Sequence, residues 1–246
     1  MSAVDWRLLK KVSRSFYLTL CLLPKPVRES IALAYLLARL SDTKADGAVT
    51  EGERELLLRE STLTEALSLS PDRLEIEDVW RTIQEGQDFD RVRFSENADP
   101  LSDEELDRYT YLVAGCVGEF WTRICAKHLP GFASLDASAM TALGIEYGKG
   151  LQLINILRDR AEDLSLGRVY VKDDQAGHYL SVARHYLVSA ETYVKALKIR
   201  RLRVATALPL LIGRETLDLL KAAPSSSRQK ITRARVWWLL LRAWFY

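Results

Sequence analysis

The chain has 246 residues, 48% of them hydrophobic and 28% charged, a balance that supplies a large core and excludes a disordered segment. Thirty-five basic residues against 33 acidic ones leave a net charge of +2, with no basic tail or long Lys/Arg run, which excludes an obvious nucleic-acid surface. Cys21, Cys116 and Cys125 show no CxxC spacing, which argues against a zinc site or a disulfide framework and for a reducing, cytoplasmic compartment.

Helical periodicity dominates from the start. Residues 1–11 carry Asp5, Arg7, Lys10 and Lys11 and no apolar run, so they do not read as a signal peptide. The spacing predicts helices over 4–22, 27–43, 51–68, 74–92, 102–128, 134–165, 178–197, 201–221 and 229–244. Pro24 and Pro26 separate the first two, and Thr50 with Glu53 and Ser102 with Glu105 have the spacing of capping boxes. Residues 97–100 and 129–131 are breaks, but none is long enough to be a linker, so one helical domain over 1–246 is expected. No apolar run approaches the ~20 residues of a membrane span. The tail 236–246, VWWLLLRAWFY, suits either a core helix or a helix lying on a membrane surface, and Trp80, Trp121, Trp237 and Trp238 are expected in the core or a cavity wall.

Two helices carry polar stripes that their apolar character does not require. Residues 31–40 read IALAYLLARL, yet Tyr35, Arg39, Asp42 and Asp46 follow at steps of 4, 3 and 4 and share one side. Residues 148–163 read GKGLQLINILRDRAED, in which Gln152, Asn155, Asp159, Glu162 and Asp163 form a second stripe. Asp pairs four apart repel each other, so each stripe faces either water or a cation. Two such helices facing one another would present four carboxylates across a gap, a hard-oxygen set suited to Mg²⁺ bridging to phosphate. Cations for phosphate oxygens are at hand in Lys10, Lys11, the Ser13-Arg14-Ser15 run, Arg39, Arg158, Arg168 and Lys172. Any one Asp pair is more often a solvated helix face; two, each prolonging a stripe, bring the readings to even weight. Gly144 and Gly148 fit close helix packing better than phosphate binding, and Gln87 and Asp90 suit a cavity or the surface nearly equally.

These segments resemble the squalene/phytoene synthase family, the head-to-head prenyl synthases. Ser13-Arg14-Ser15-Phe16 is similar to the family's opening motif. AYLLARLSDTKAD at 34–46 and LQLINILRDRAEDLSLGRVY at 151–170 are similar to its two aspartate-rich segments, and DRYTYLVAG at 107–115 to its tyrosine segment. RLRVATALPLLIG at 201–213 is similar to a late helix of bacterial members.

The resemblance implies an all-α, isoprenoid synthase-type bundle around a central cavity. It implies Mg²⁺ held by Asp42, Asp46, Asp159 and Asp163, and diphosphate contacted by Ser13, Arg14, Arg39, Arg158 and Arg168. Tyr109 would sit near the reacting carbons, with Tyr35, Gln152 and Asn155 in the cavity. The implied reaction joins two farnesyl diphosphates through presqualene diphosphate to squalene, with hydride from NADPH. The same family offers presqualene diphosphate, dehydrosqualene or phytoene as end points, and a non-catalytic assembly role as a rival in which the aspartates would be expected to be lost. Lys44 stands between the first two aspartates where relatives carry an apolar residue, and the connections at 67–72 and 171–178 are short for the family. The short second connection falls where a lid could sit. Contact with a membrane surface is the one partner expected besides the diphosphate substrate.

Overall fold

The computed structural model describes residues 4–13, 16–47, 50–96, 99–222 and 231–246, without the side chains of Asp46 and Glu96. Twelve α-helices follow in order among the described residues. They are α1 (Trp6–Val12), α2 (Phe16–Leu22), α3 (Lys25–Asp46), α4 (Glu51–Leu58), α5 (Glu60–Ser68) and α6 (Arg73–Glu96), then α7 (Asp103–Thr110), α8 (Cys116–His128), α9 (Ala137–Ser165), α10 (Ala176–Ala196), α11 (Arg200–Ala222) and α12 (Arg233–Ala243). No strand is present among them, only an isolated bridge between Ala133 and Leu197. The all-α expectation holds.

Local sequence explains the helix ends. Both expected capping boxes form: Thr50 accepts from the Glu53 amide while Glu53 reaches back to the Thr50 amide, and Ser102 does the same with Glu105. Asp136 caps α9, whose 29 residues run about 43 Å. That helix packs against α7, α8, α10 and α11 and forms the spine of the bundle. Its crossing with α8 depends on glycine. A methyl group at Gly118 would lie 1.9 Å from the Gly144 carbonyl oxygen, and one at Gly148 would lie 2.1 Å from that of Ala114. The backbones touch there, so Gly144 and Gly148 serve packing.

Three predicted helices differ from the observed ones. The 4–22 helix ends its first piece at Ser13, whose hydroxyl donates to the Leu9 carbonyl at 2.5 Å and competes with the backbone ladder. The 51–68 helix breaks at Arg59, whose N–H turns to the Leu56 carbonyl three residues back. The 102–128 helix is continuous but contains a π-helical turn at Tyr111–Gly115, where the Cys116 amide reaches the Tyr111 carbonyl. A π-turn accommodates one extra residue, and hydrophobic periodicity does not reveal it.

The aromatic tail also differs from expectation. Leu239 and Ala243 are fully buried, with α12 packed against α11, but Trp237 and Trp238 are 60% and 45% exposed and belong to neither core nor cavity. Trp121 is buried and Trp80 is half-buried, its indole N–H donating to Ser41 at 2.7 Å. Asp72, just before α6, is the one fully buried carboxylate among the described residues. It takes hydrogen bonds from Ser30 on α3 at 2.5 Å and from His128 at 2.7 Å, and pairs with Lys127 at 2.9 Å, tying three helices together.

Candidate active site

A cavity of about 810 Å³ lies between α2, α3, α6, α8, α9 and α11. Its wall is apolar over most of its area: Ile31, Ala34, Val79, Ile83, Val113, Val117, Leu151 and Ile156 face it, with Phe16, Trp121 and Tyr147. Pro209 interrupts the ladder of α11 beside the cavity, and the Tyr147 hydroxyl donates to the nearby Thr206 carbonyl at 2.7 Å.

Both polar stripes reach this cavity. From α3 come Tyr35, Arg39 and Asp42; from α9 come Gln152, Asn155, Asp159 and Asp163. Tyr35 donates to the Val12 carbonyl at 3.2 Å, fixing α3 to the end of α1. Arg39 is held by Glu53 and by Asp42, the latter at 3.6 Å. Glu53 therefore caps α4 and orients Arg39 at once.

Helix α6 joins the two stripes. Gln87 donates to Asp42, and Asp90, one turn on, is buried and faces the segment after α9. That segment is aimed by Gly167, whose φ of 76° ends α9 in the left-handed region and brings Arg168 and Tyr170 back over the cavity. The Arg168 Nε lies 3.3 Å from Asp90, and the Tyr170 hydroxyl donates to the other Asp90 oxygen. Tyr170 stacks on Tyr109 with ring centroids 5.1 Å apart and planes 19° apart, their hydroxyls at 3.4 Å.

Electrostatics follow from this crowding. Burial and then the neighbouring Asp159 charge push the Asp163 carboxyl up to about 6, with Arg168 acting against them. Burial, helped by the Asp90 charge, also raises both phenols, so Tyr109 and Tyr170 stay protonated at any working pH. A carboxylate raised in this way is short of positive charge, and added cation would relieve it. Among the described residues, no three His, Cys, Asp or Glu side chains form a group that could hold a metal ion. Mg²⁺ is commonly held by one or two carboxylates, water and substrate phosphate, and Asp42, Asp159 and Asp163 are carboxylates that line the cavity.

Not every expected residue comes to the cavity. Ser13 does not line it; its hydroxyl is used within α1. Arg158 also lies off the lining and clasps Asp159 with both nitrogens, at 2.9 and 2.6 Å, so it acts on the site through that carboxylate. Lys10, Lys11 and Lys172 are exposed and off the lining, as is Glu162; Lys11 pairs with Glu55 at 2.8 Å and Lys44 with Glu60. Arg14, Ser15 and the Asp46 side chain lie outside the described residues. Sequence reasoning gave Glu53 only its helix-capping role and Tyr170 none, and left Gln87 and Asp90 undecided. A signal existed, since Val79, Ile83, Gln87 and Asp90 follow at steps of 4, 4 and 3, the rhythm of the other two stripes.

An all-helical bundle with acidic stripes over an apolar cavity is the arrangement that the sequence resemblance implies, and comparison with known proteins gives the class. Residues 9–176 match the squalene/phytoene synthase family. The chain belongs to that family of prenyltransferases, the head-to-head prenyl synthases of isoprenoid biosynthesis. It is 29% identical to the phytoene synthase of Thermus thermophilus over 95% of this chain and 89% of that one. It is 31% identical to the presqualene diphosphate synthase of Rhodopseudomonas palustris over 65% of this chain and 58% of that one. The fold is similar to that of a dehydrosqualene synthase solved with a ligand, with a TM-score of 0.75, 23% identity and coverage of 97% and 93%.

Proposed function

We propose that this chain joins two farnesyl diphosphates head to head through presqualene diphosphate, with Mg²⁺, and forms squalene where NADPH supplies hydride. The observation that carries the reading is one cavity lined by carboxylates from three helices and walled over most of its area by apolar side chains.

Asp42, Asp159 and Asp163 would hold Mg²⁺, joined by Asp46 from its place in the first motif. The metal, when bound, neutralises diphosphate and favours ionisation of the C–O bond. The protein's own groups do the rest. Arg39 and Arg168 present guanidinium forks to diphosphate oxygens, and Glu53 and Asp90 fix their aim. The valines, leucines and isoleucines of the wall keep water from the allyl cation, and the Tyr109 and Trp121 faces offer it π density. As the 2,3 double bond of the second substrate attacks C1 of the cation, a proton must leave for the cyclopropane to close. Tyr109 and the departed diphosphate are the two candidates to take it, and burial, which raises the Tyr109 phenol, favours the diphosphate. NADPH is assigned to no residue.

The test is product analysis of the purified protein with Mg²⁺ and farnesyl diphosphate, with and without NADPH. Squalene formed only with NADPH supports the whole reading. Presqualene diphosphate or a dehydro product in both cases removes the reductive half. Consumption of geranylgeranyl but not farnesyl diphosphate would give phytoene, the second reading, favoured by the near-full-length alignment with the Thermus enzyme. Consumption of neither would remove the catalytic reading.

A further inference from the structure

The exposed side of α12 is the largest cluster of exposed aromatic side chains in the described chain, and the catalytic reading makes no use of it. Trp237, Trp238, Leu241, Trp244 and Phe245 are 60%, 45%, 61%, 45% and 80% exposed. At about 100° per residue Trp237, Trp238 and Leu241 share one arc of the helix, with Trp244 and Phe245 in the turn that follows it, while Leu239 and Ala243 occupy the opposite arc against α11. An apolar face of this kind on a folded chain marks a binding surface.

Its border is basic. Arg242 and Arg235 flank the arc on one side and Arg233 on the other. Arg200, at the start of α11, stacks on Trp244 at 4.5 Å, and Arg235 and Arg242 stack on Trp238 at 3.9 and 5.7 Å. Glu215 neutralises Arg235. Arg200, Arg233 and Arg242 form no ion pair with a described carboxylate, so the rim keeps a positive charge.

Aromatic side chains ringed by arginine match the interface of an anionic bilayer, where indole rings settle at headgroup depth and guanidinium groups meet phosphate. No helix among the described residues is long and apolar enough to cross a membrane. We propose that α12 docks the protein flat on a bilayer surface carrying anionic headgroups. Leu239 and Ala243 hold the helix to the body, and Trp237, Leu241, Trp244 and Phe245 enter the lipid. The inference does not depend on which prenyl diphosphate the cavity takes.

The test is co-sedimentation of the full chain with vesicles of phosphatidylcholine alone or mixed with phosphatidylglycerol. The expected result is salt-sensitive binding to mixed vesicles and weak binding to phosphatidylcholine. Replacing Trp237, Leu241 and Phe245 together by Ser should lower affinity for mixed vesicles about tenfold or more. The pair Arg200→Gln and Arg242→Gln should lower it about tenfold while sparing the weak binding to phosphatidylcholine. Thermal melting verifies the fold of each variant, and the arginine pair leaves the apolar face intact should the triple variant fail to fold. The proposal falls if the wild-type chain stays in the supernatant with both vesicles, or if folded variants sediment as it does. A dimer in sedimentation velocity that the triple variant loses would also overturn it, by showing that a second copy covers the face.

Discussion

The hydroxyl of Tyr170 donates to the buried carboxylate of Asp90, 80 residues earlier in the chain, while Arg168 holds the other oxygen at 3.3 Å. This contact fixes the segment after α9 to α6 and sets the height at which Arg168 and Tyr170 stand over the cavity. Tyr170→Phe removes one donor from a buried acceptor and should lower stability by about 1–2 kcal/mol. It should cut turnover more than a mere loss of stability explains, because Arg168 would lose its register. Thermal melts with steady-state kinetics on the same preparation separate the two effects. Unchanged turnover would mean that the contact is structural only.

The acidic stripes give a sharper prediction. Asp42→Asn and Asp159→Asn should each lower turnover on the order of 10²–10³-fold with little change in melting temperature, because both side chains reach the cavity and neither is core. Turnover within threefold of wild type in a folded variant would remove the carboxylates from the mechanism.

Asp163 makes the protein's stability depend on pH in an unusual direction. Its folded value of about 6 lies above the ordinary 3.8, so the folded state binds the extra proton between those values. Stability from this group is present below about pH 4 and is lost as pH rises through 6. Mg²⁺ should reverse the loss by pairing with the ionised form. Added Mg²⁺ should therefore raise the melting temperature at pH 7.5 and barely at pH 5, and Asp163→Asn should flatten the difference. An equal Mg²⁺ effect at both pH values would count against Asp163 as a ligand.

Asp72 should behave in the opposite sense. Burial alone would raise its pKa, but hydrogen bonds from Ser30, Lys127 and His128 outweigh it and leave the value lowered. Its contribution is present above pH 4 and is lost as pH falls. Asp72→Ala leaves three donors without their shared acceptor and should cost about 3–5 kcal/mol in denaturant unfolding. A loss under 1 kcal/mol would show that water replaces the carboxylate.

The α8–α9 crossing tolerates no side chain at Gly118. Gly118→Ala places a methyl group against backbone rather than a movable side chain, so the helices must part, at a cost of about 1–3 kcal/mol or more and with a widened cavity. Denaturant unfolding of this single variant checks it.

Much of this architecture was legible in the sequence, for identifiable reasons. Helix starts were visible where capping chemistry is local, as at Thr50 and Ser102. The two stripes were visible because a buried helix has little other use for Asn155 or Asp42. What escaped were relations between distant residues. Nothing near Asp72 announces a histidine 56 residues later, and nothing near Arg39 names Glu53 as its partner. Trp237 and Trp238 were misplaced because composition marks them as apolar without saying which side of α12 finds a neighbour. The break at Arg59 escaped because its flanking residues are all good helix formers.

The π-turn at Tyr111–Gly115 has a geometric result. Tyr109, Val113, Val117 and Trp121 all face the cavity at intervals of four residues. On an undisturbed α-helix each interval of four overshoots a full turn by about 40°, so the last would point about 120° away from the first. The surplus residue in the π-turn takes back about 100° of that drift, and four side chains fall into file. The wall is straight-grained: a long, methyl-branched hydrocarbon can lie along it without meeting a twist.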